Sequence, residues 1–384
     1  MAINLNRFVD ISISHITSSN DYQRDTALLV LFGQSETALK FYTKLSDINI
    51  GTEEYKYAFN FFNNNGVKLA IYKTSVTYTN DVESLSSSSS ITKSKEDKFK
   101  EILKSLNYKY IIVMSNISNK DMIDFEKKYN NDKNITQMYK KYFLTSSNSS
   151  NDNLSSEDYF VAVKWGEIGC EASIAAYLTK IDLDENNSVN DYMFTEEVVE
   201  NYSYTNSGDT ITMNYTQYIV DEDSQLTALL NKNYNVNVTL RDSIRVIGGN
   251  ALNSSDLVNE YMLLVLQQTL TEKLVDLLNT KIKYNSLGLT KINGVMIREL
   301  NRYVNNGFLI PNKVYEEKED IMDVTGSTVL LTKGAKLISG YKYYIAPFST
   351  LSEADKEDHL LPSITLLLSD GYSIRKITVD GYLY

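Results

Sequence analysis

Hydrophobic and polar residues alternate at both ends of the chain. The alternation covers residues 8–16, before a polar stretch at 17–25, and recurs in residues 373–384 up to the last position. The apolar positions of the two segments are Val9, Ile11, Ile13, Ile374, Ile377, Val379 and Leu383. A period of two residues is typical of a β-strand. We therefore predict a strand at each terminus, and neither strand has an obvious partner nearby in the sequence.

The first part of the chain between these ends alternates short apolar segments with amphipathic ones. The apolar segments lie at 27–32, 67–72, 110–114 and 142–144, and the amphipathic segments lie at 52–62, 95–106 and 119–129. Strands that alternate with helices at this spacing are typical of βαβ units. We predict an α/β domain over residues 26–181. The serine-rich segment 84–90 and the polar segment 145–156 are predicted to be exposed loops.

Residues 182–224 interrupt this pattern. The segment is acidic and rich in Asn and Tyr, and apolar or aromatic residues alternate with polar ones between 209 and 220. The alternation predicts a short hairpin within a surface insertion or a link between domains. Oxygen-bearing side chains at alternate positions from Asp182 resemble a calcium loop, but Asn187 and Met193 stand where that loop needs Gly and Glu. A solvated acidic loop is the better interpretation.

The second half contains the strongest helical pattern, a broad apolar stripe that begins after three polar residues at 253–255. The first predicted helix runs from 256 to 279, with residues 253–255 as its caps, and the second covers 290–306; the predicted strands after Pro311 cover 329–332, 341–346 and 364–369. Asn306 and Gly307 provide a helix stop. We predict a second domain over residues 225–371, which precedes the C-terminal strand.

Composition and charge narrow the possible functions. The 384 residues carry a net charge of -11. A protein that coats nucleic acid needs a basic surface to displace counterions, so we expect no direct nucleic-acid binding. The single cysteine, Cys170, excludes an intrachain disulfide. The sequence shows neither a secretion leader nor an apolar run of about 20 residues, so membrane insertion is not predicted.

Residues with catalytic potential are few. His15 and His359 are the two histidines, and neither has the Cys or Glu spacing of a metal site. No GxSxG or HExxH motif occurs. Cys170 could act as a nucleophile with a distant histidine as base, but a free cysteine is more often a small buried apolar residue. We predict no catalytic residues, no metal and no cofactor, and hence no enzymatic activity.

The C-terminal third carries a distinctive combination of aromatic, small and acidic residues. Residues 340–356 are GYKYYIAPFSTLSEADK, and LPSIT follows at 361–365. This pair resembles the C-terminal signature of contractile tail sheath proteins of small myophages and phage-tail-like particles. The segments 43–62, 247–279 and 281–307 resemble other parts of that family in the same order. The acidic segment 182–223 matches nothing in it.

The resemblance implies a two-domain α/β (α+β) subunit whose terminal arms add strands to the sheets of neighbouring subunits. The implied parts are an N-terminal arm at 1–25, an outer α/β domain at 26–181, an insertion or link at 182–224, an inner tube-facing domain at 225–371 and a C-terminal arm at 372–384. The alternating strands at both ends agree with the arms. Hinges are expected where the arms join the domains, at residues 17–25 and at Gly371, because glycine tolerates large dihedral changes.

The resemblance also implies a structural function without cofactors. The subunits are expected to polymerise helically around a tail tube protein, with baseplate and tail terminator proteins as further partners. Contraction of the sheath would then drive the tube through the host envelope. The expected location is the phage tail in the virion, after assembly in the host cytoplasm.

Two other classes of function stay open at this stage. A tail adhesin or cell-surface glycan-binding module would suit the many Tyr and Asn residues, and a cell-wall pull-down would separate it from a sheath. A hydrolase of unknown type would need acidic pairs that the sequence alone does not exclude. A broad activity screen with and without divalent metal would test the hydrolase.

Overall fold

The computed structural model has the predicted α/β class and divides into two compact units. It describes residues 24–78, 95–106, 110–132, 140–149, 160–206, 209–315, 320–322, 329–357, 359, 361, 364–369 and 371. The sheet unit contains the described residues of 24–181 and 192–265. The C-terminal unit contains the described residues of 182–191 and 266–371.

The sheet unit alternates strands with helices, as the pattern of apolar segments predicts. Its strands are β1 Thr26–Leu31, β2 Thr37–Tyr42, β3 Lys68–Lys73, β4 Ile112–Ser115, β5 Tyr142–Ser147, β6 Val161–Trp165, β7 Tyr202–Asn206, β8 Asp209–Met213, β9 Tyr234–Leu240 and β10 Ser243–Ile247. Its helices are α1 Glu53–Asn63, α2 Lys95–Ser105, α3 Asn119–Asn130, α4 Ala172–Thr179 and α5 Asp223–Leu230.

Eight of these strands form one mixed sheet in the order β10-β9-β6-β5-β4-β1-β3-β2. The six central strands are parallel, and the outermost strand at each edge is antiparallel to its neighbour. The chain proceeds from β1 to β3 on one side and then to β4 on the other side. This reversal creates a topological switch point between β1 and β4, which is where ligands bind in many open α/β sheets.

The central strands are buried because helices cover both faces of a parallel sheet. Every residue of β1, β4, β5 and β6 is buried. On one face α2 packs against α3, where the Phe99 and Phe125 rings stack with centroids 4.3 Å apart. Helix α1 packs against α4. Helix α4 was not predicted, because seven of its eight residues are buried and it shows no amphipathic stripe.

Two helix starts differ in detail from the sequence-based expectation. The long helix starts at Leu257, close to the predicted position, but Asp256 and not one of residues 253–255 accepts from a backbone N–H of its first turn, that of Asn259 at 2.8 Å. The second helix starts at Ser286 and not at Thr290, because the Asn285 side chain accepts from two N–H groups of its first turn.

The C-terminal unit combines two long helices with short strands. Its elements, with the helix that enters it from the sheet unit, are α6 Leu257–Asn279, α7 Ser286–Asn305, β11 Lys313–Val314, β12 Ile321–Met322, β13 Val329–Leu331, β14 Lys336–Leu337, β15 Tyr341–Ile345, α8 Glu353–Glu357 and β16 Ile364–Leu368. The strands pair only in twos within the described residues, as β11 with β14, β12 with β13 and β15 with β16. The predicted strands near 329, 341 and 364 correspond to β13, β15 and β16.

Residues 182–224 divide between the two units. The loop 182–191 lies on the last turn of α7, where the Asn187 N–H donates to the Asn305 carbonyl oxygen at 3.0 Å. Residues 192–224 belong to the sheet unit and include the predicted hairpin, formed by β7 and β8. Residues 225–265, which the sequence placed in the inner domain, also lie in the sheet unit. The outer and inner positions of the domains in a sheath stay predictions.

Candidate functional site

The predicted strand-arm residues lie outside the described residues. They are Val9, Ile11, Ile13, Ile374, Ile377, Val379 and Leu383. Most of the predicted N-terminal hinge, at 17–23, also lies outside them. Their roles therefore stay predictions, and the candidate site consists of the described surfaces that such strands could join.

The small sheet of β15 and β16 contains only these two strands within the described residues. Its antiparallel ladder runs from Tyr341 opposite Leu368 to Ile345 opposite Ile364. Within the described part of the chain neither strand pairs with a third, so each outer edge presents backbone groups without a ladder partner. All five residues of β16, ITLLL, are only half-buried although four are large and apolar. A sheet of this kind can accept an added strand at either edge.

A groove of about 640 Å³ lies beside β15. Leu289 and Asn293 of α7 form one wall, and residues 343–348 form the other. The side-chain oxygen of Asn293 is buried there and accepts no hydrogen bond from the described residues. A backbone N–H or another donor that entered the groove could bind this oxygen.

Gly371, the predicted C-terminal hinge, is held against the segment that follows α7. Its N–H donates to the Phe308 carbonyl oxygen at 3.1 Å. A Cβ atom at this position would lie 2.6 Å from the Cδ1 atom of Ile310. Its φ is not in the left-handed region, so close packing and not backbone conformation calls for glycine here. The hinge role stays a prediction.

The switch point of the large sheet is closed. Immediately after β1 and β4, the Asn116 side chain accepts from the Phe32 N–H at 2.9 Å and donates to the Phe32 carbonyl oxygen at 3.0 Å. The Phe32 ring packs against Tyr78 and Phe99, with centroids 5.1 and 5.2 Å away. These contacts occupy the place where a doubly wound sheet would bind a ligand.

A buried ion pair lies on the other side of the same sheet unit, between β6 and the segment after the 182–191 loop. The Lys164 ammonium donates to Glu197 at 2.8 Å, to Asn237 at 2.8 Å and to the Tyr192 hydroxyl at 3.2 Å. Tyr192 also donates to the second Glu197 oxygen. Every N–H of the ammonium therefore has a partner, which suits an anchor for the segment that starts at Tyr192. This cluster was not predicted from the sequence.

Cys170 is not arranged as a nucleophile. Burial raises the pKa of its thiol, and the adjacent Glu171 raises it further, whereas a reactive cysteine needs a lowered pKa. Burial also raises the pKa of Glu171 to about 7. The Glu171 carboxylate accepts from the Gly169 N–H at 2.9 Å, so a side chain of the chain itself occupies the start of α4.

Asp184 of the acidic loop and His359 each contact another side chain of the chain. Asp184 of the predicted acidic loop forms a two-pronged ion pair with Arg302, at 2.6 and 2.7 Å. The His359 ring packs on Tyr284, with centroids 5.2 Å apart. Among the described residues no three His, Cys, Asp or Glu side chains converge to hold a metal ion. No helix in the described part of the chain is long and apolar enough to cross a membrane.

The C-terminal third of the chain matches a known protein family. Residues 258–382 match the family described as E217 tail sheath protein gp31-like, C-terminal domain. This range contains α7, the β15–β16 sheet, the groove beside it and Gly371. A comparison with curated protein sequences found no significant match.

Two solved structures share the fold of almost the whole chain. One is the contracted helical sheath of the anti-feeding prophage, with a TM-score of 0.59 and 11% identity over 96% of this chain and 98% of that one. The other is the contracted sheath complex of an extracellular contractile injection system, PVC, with a TM-score of 0.57 and 11% identity over 96% of both chains.

These observations define a structural subunit, with an α/β sheet unit that is closed at its switch point and a C-terminal unit whose β15–β16 sheet gains no third strand within the described residues. The resemblance predicted from the sequence is confirmed: residues 258–382 match the C-terminal domain of a tail sheath family, and the chain shares the fold of two contractile sheaths. The comparisons give no support to the alternative of an adhesin or glycan-binding module. The proteins that it resembles are structural, and the absence of enzymatic activity stays a prediction.

Proposed function

We propose that copies of this protein polymerise into a helical sheath around a tail tube, and that contraction of the sheath drives the tube through the host envelope. The observation that carries the proposal is the match of residues 258–382 to the tail sheath family. The two solved relatives support it, because both are described as contracted sheaths. Head-to-tail contacts that do not close generate helical polymers of this kind.

The β15–β16 sheet supplies a physical basis for polymerisation. Terminal strands at 8–16 and 373–384 of neighbouring copies would extend it, because its edges pair with no third strand among the residues that the structure describes and β16 is apolar but half-buried. Strand addition gives directional backbone hydrogen bonds and also removes apolar area from water, which stabilises by roughly 25 cal/mol per Å². Bonds of this type can persist while whole subunits rotate.

Contraction requires no bond chemistry. The work would come from the free-energy difference between two packings of the same subunits, with the hinges at the arms. The proposed partners are a tail tube protein inside the sheath and baseplate and tail terminator proteins at its ends. The proposed location is the tail of a phage or a phage-tail-like particle, after assembly in the host cytoplasm.

Negative-stain microscopy of the purified protein tests the proposal. We expect tubes with a helical repeat for the full chain. Deletion of residues 1–18, or truncation from residue 373, should leave a folded subunit that no longer makes stable tubes. A full-length protein that stays monomeric at every concentration and salt level would contradict the proposal. Truncated proteins that unfold would show that the terminal strands pair within the subunit.

A further inference from the structure

The solvent-facing side of α7 carries an unusual set of residues. Its buried face contributes Ile292, Val295 and Leu300 to the core. The residues of the opposite face, here called the outer stripe, are Leu287, Lys291, Gly294, Ile297 and Arg298. Leu287 is 68% exposed and Ile297 is 43% exposed. The two exposed apolar side chains and the two cations between and beside them make this face mixed in character, as the rim of an interface often is.

The two glycines of α7 have different surroundings. A Cβ atom at Gly288 would lie 2.0 Å from the Lys283 carbonyl oxygen, so packing inside the subunit calls for glycine there. A Cβ atom at Gly294 would meet nothing within 4 Å, and this residue lies in the middle of an exposed helical face. Glycine in a helix interior is less favourable than alanine. The described part of the subunit therefore gives no reason for Gly294, whereas a partner that approaches the helix closely would give one.

The charge along the sequence is segregated around this helix. Residues 277–298 contain Lys281, Lys283, Lys291 and Arg298 and no Asp or Glu, and the next residue, the buried Glu299, pairs with Arg298 at 3.0 Å. Residues 182–223 contain eleven Asp and Glu residues and no Lys or Arg. The formal charge of this segment therefore equals the net charge of the whole chain, -11. The exposed acidic residues of this segment include Asp182, Glu185, Asp221, Glu222 and Asp223. The segment also exposes Phe194 and Val198, at 40% and 41%.

We propose that the outer stripe of α7 docks against the acidic residues 221–223, which lie in the sheet unit of a second copy of this chain, with Gly294 allowing a close approach. The basic residues of the stripe and these exposed carboxylates are complementary in charge. Complementary charge sets the partner and the register of an interface. The two surfaces are different, so the contact is heterologous and each bound copy leaves a free surface of each kind.

This inference rests on the proposed polymerisation and adds to it a contact distinct from strand addition. The segment 182–223 matched nothing in the family on sequence grounds. An interface with a second copy gives this segment a role in this chain. The contact should weaken with salt, because the Debye length falls from about 10 Å at 0.1 M to about 3 Å at 1 M.

The first test is Gly294→Ala, for which the inference predicts two effects of opposite sign. The dilute subunit should melt roughly 2–4 °C higher, because alanine favours the helix and its methyl group meets open space. Polymerisation of the same variant, followed by light scattering and sedimentation, should need a higher protein concentration than the wild type. Gly288→Ala is the matched control, and it should lower the melting temperature because of the Lys283 carbonyl oxygen.

The second test reverses charge. Lys291→Glu with Arg298→Glu should raise the concentration needed for polymerisation roughly tenfold or more. Asp221→Lys with Asp223→Lys is then added in this background and should restore polymerisation. Asp182→Lys with Glu185→Lys, a pair in the other unit, is the matched control and should not restore it. Lys104→Glu with Lys120→Glu, at exposed positions of α2 and α3, is the control of equal charge and should polymerise like the wild type.

The outcomes separate this inference from the proposed function. If the wild type and Gly294→Ala both form tubes at the same protein concentration, the proposed interface is wrong. The proposed sheath function would still hold. Failure of Asp221→Lys with Asp223→Lys to rescue the stripe variant would also overturn the interface. A wild-type protein that forms no polymer would overturn both.

Discussion

The two units of this protein differ in how completely their strands are buried and hydrogen-bonded. In the sheet unit the central strands are buried along their whole length. The outer edge of β10 is also covered, since the Phe194 N–H donates to the Val246 carbonyl oxygen at 2.8 Å and Glu197 N–H donates to that of Ile244 at 3.1 Å. In the C-terminal unit β15 and β16 are half-buried and pair only with each other within the described residues.

The difference shows where stability and assembly are located. The sheet unit has a core and a polar anchor that are complete within one chain. The C-terminal unit has apolar strand surface that its own described residues do not cover. We infer that the sheet unit contributes most of the folding stability of the subunit, whereas the half-buried surface of β15 and β16 gains stability from neighbouring copies. The predictions below test this division.

The largest effect is expected at the buried Lys164–Glu197 pair. Lys164→Met leaves a buried carboxylate without its cation, which should lower the free energy of unfolding of the sheet unit by about 3–5 kcal/mol. Chemical denaturation of the monomer measures this change. Arg245→Ala, which removes the exposed pair with Glu196 at 3.3 Å, is the control and should cost less than about 1 kcal/mol. Equal losses for both variants would show that Lys164 is not an anchor.

The next effect concerns pH and Glu171. Burial raises the pKa of Glu171 to about 7 in the folded chain, from an ordinary value of 4.5. The folded state therefore binds more protons between these two values, and its stability should increase as the pH falls from about 7 to 4.5, by up to about 3 kcal/mol. Glu171→Gln should remove this dependence. Denaturation curves of the monomer across this range would contradict the prediction if the two proteins changed alike.

Lys141 should give the stability of the same unit a second pH dependence, of opposite sign. Burial lowers its pKa from 10.5 to about 7. The unfolded state binds more protons between these values, so stability should rise as the pH increases from about 7 to 10.5. Lys141→Met should remove the rise in stability above pH 7 and leave the dependence caused by Glu171 below pH 7 unchanged. The two variants therefore assign each pH dependence to one residue.

Periodicity in the sequence predicted the elements that bury one face. Helices α1, α2 and α3 follow the predicted segments closely, because each has a polar and an apolar side. Helix α4 was missed because it is buried nearly all round. The order of the strands in the sheet could not be predicted either, because it depends on pairs such as Val163 opposite Tyr234, far apart in the sequence.

The candidate site was predicted only in part. The sequence indicated the family segment that contains β15 and β16, but not that these strands pair with no third strand among the described residues. It missed the partners of Lys164, which lie 28, 33 and 73 residues away. Two sequence features could have indicated these sites. One is the lysine within the apolar strand VAVKW, and the other is the glycine in the middle of α7.

The next prediction compares one leucine from each unit. Leu144 in β5 is fully buried, and Leu366 in β16 is half-buried. Leu144→Ala should destabilise the monomer by about 2–5 kcal/mol. Leu366→Ala should cost the monomer only about 1 kcal/mol, because much of that side chain already contacts water. Polymerisation should be weakened more by Leu366→Ala than by Leu144→Ala, when both variants are compared under conditions where they are folded. Equal effects in the monomer would remove the proposed division between the units.

The smallest effect on the subunit is expected at Gly371. Gly371→Pro removes the N–H that donates to the Phe308 carbonyl oxygen, and its ring meets Ile310, so the monomer should lose about 1 kcal/mol. Proline also fixes φ, and a hinge at this position could then not change its dihedral angle. We expect assembly of the extended sheath to continue and contraction to be blocked, as judged by imaging particles before and after treatment with acid or urea. Gly371→Ala, which keeps the N–H and meets the same Ile310 side chain, separates packing from backbone rotation. If both variants contracted normally, the hinge would lie elsewhere and the C-terminal unit would move as one piece with its arm.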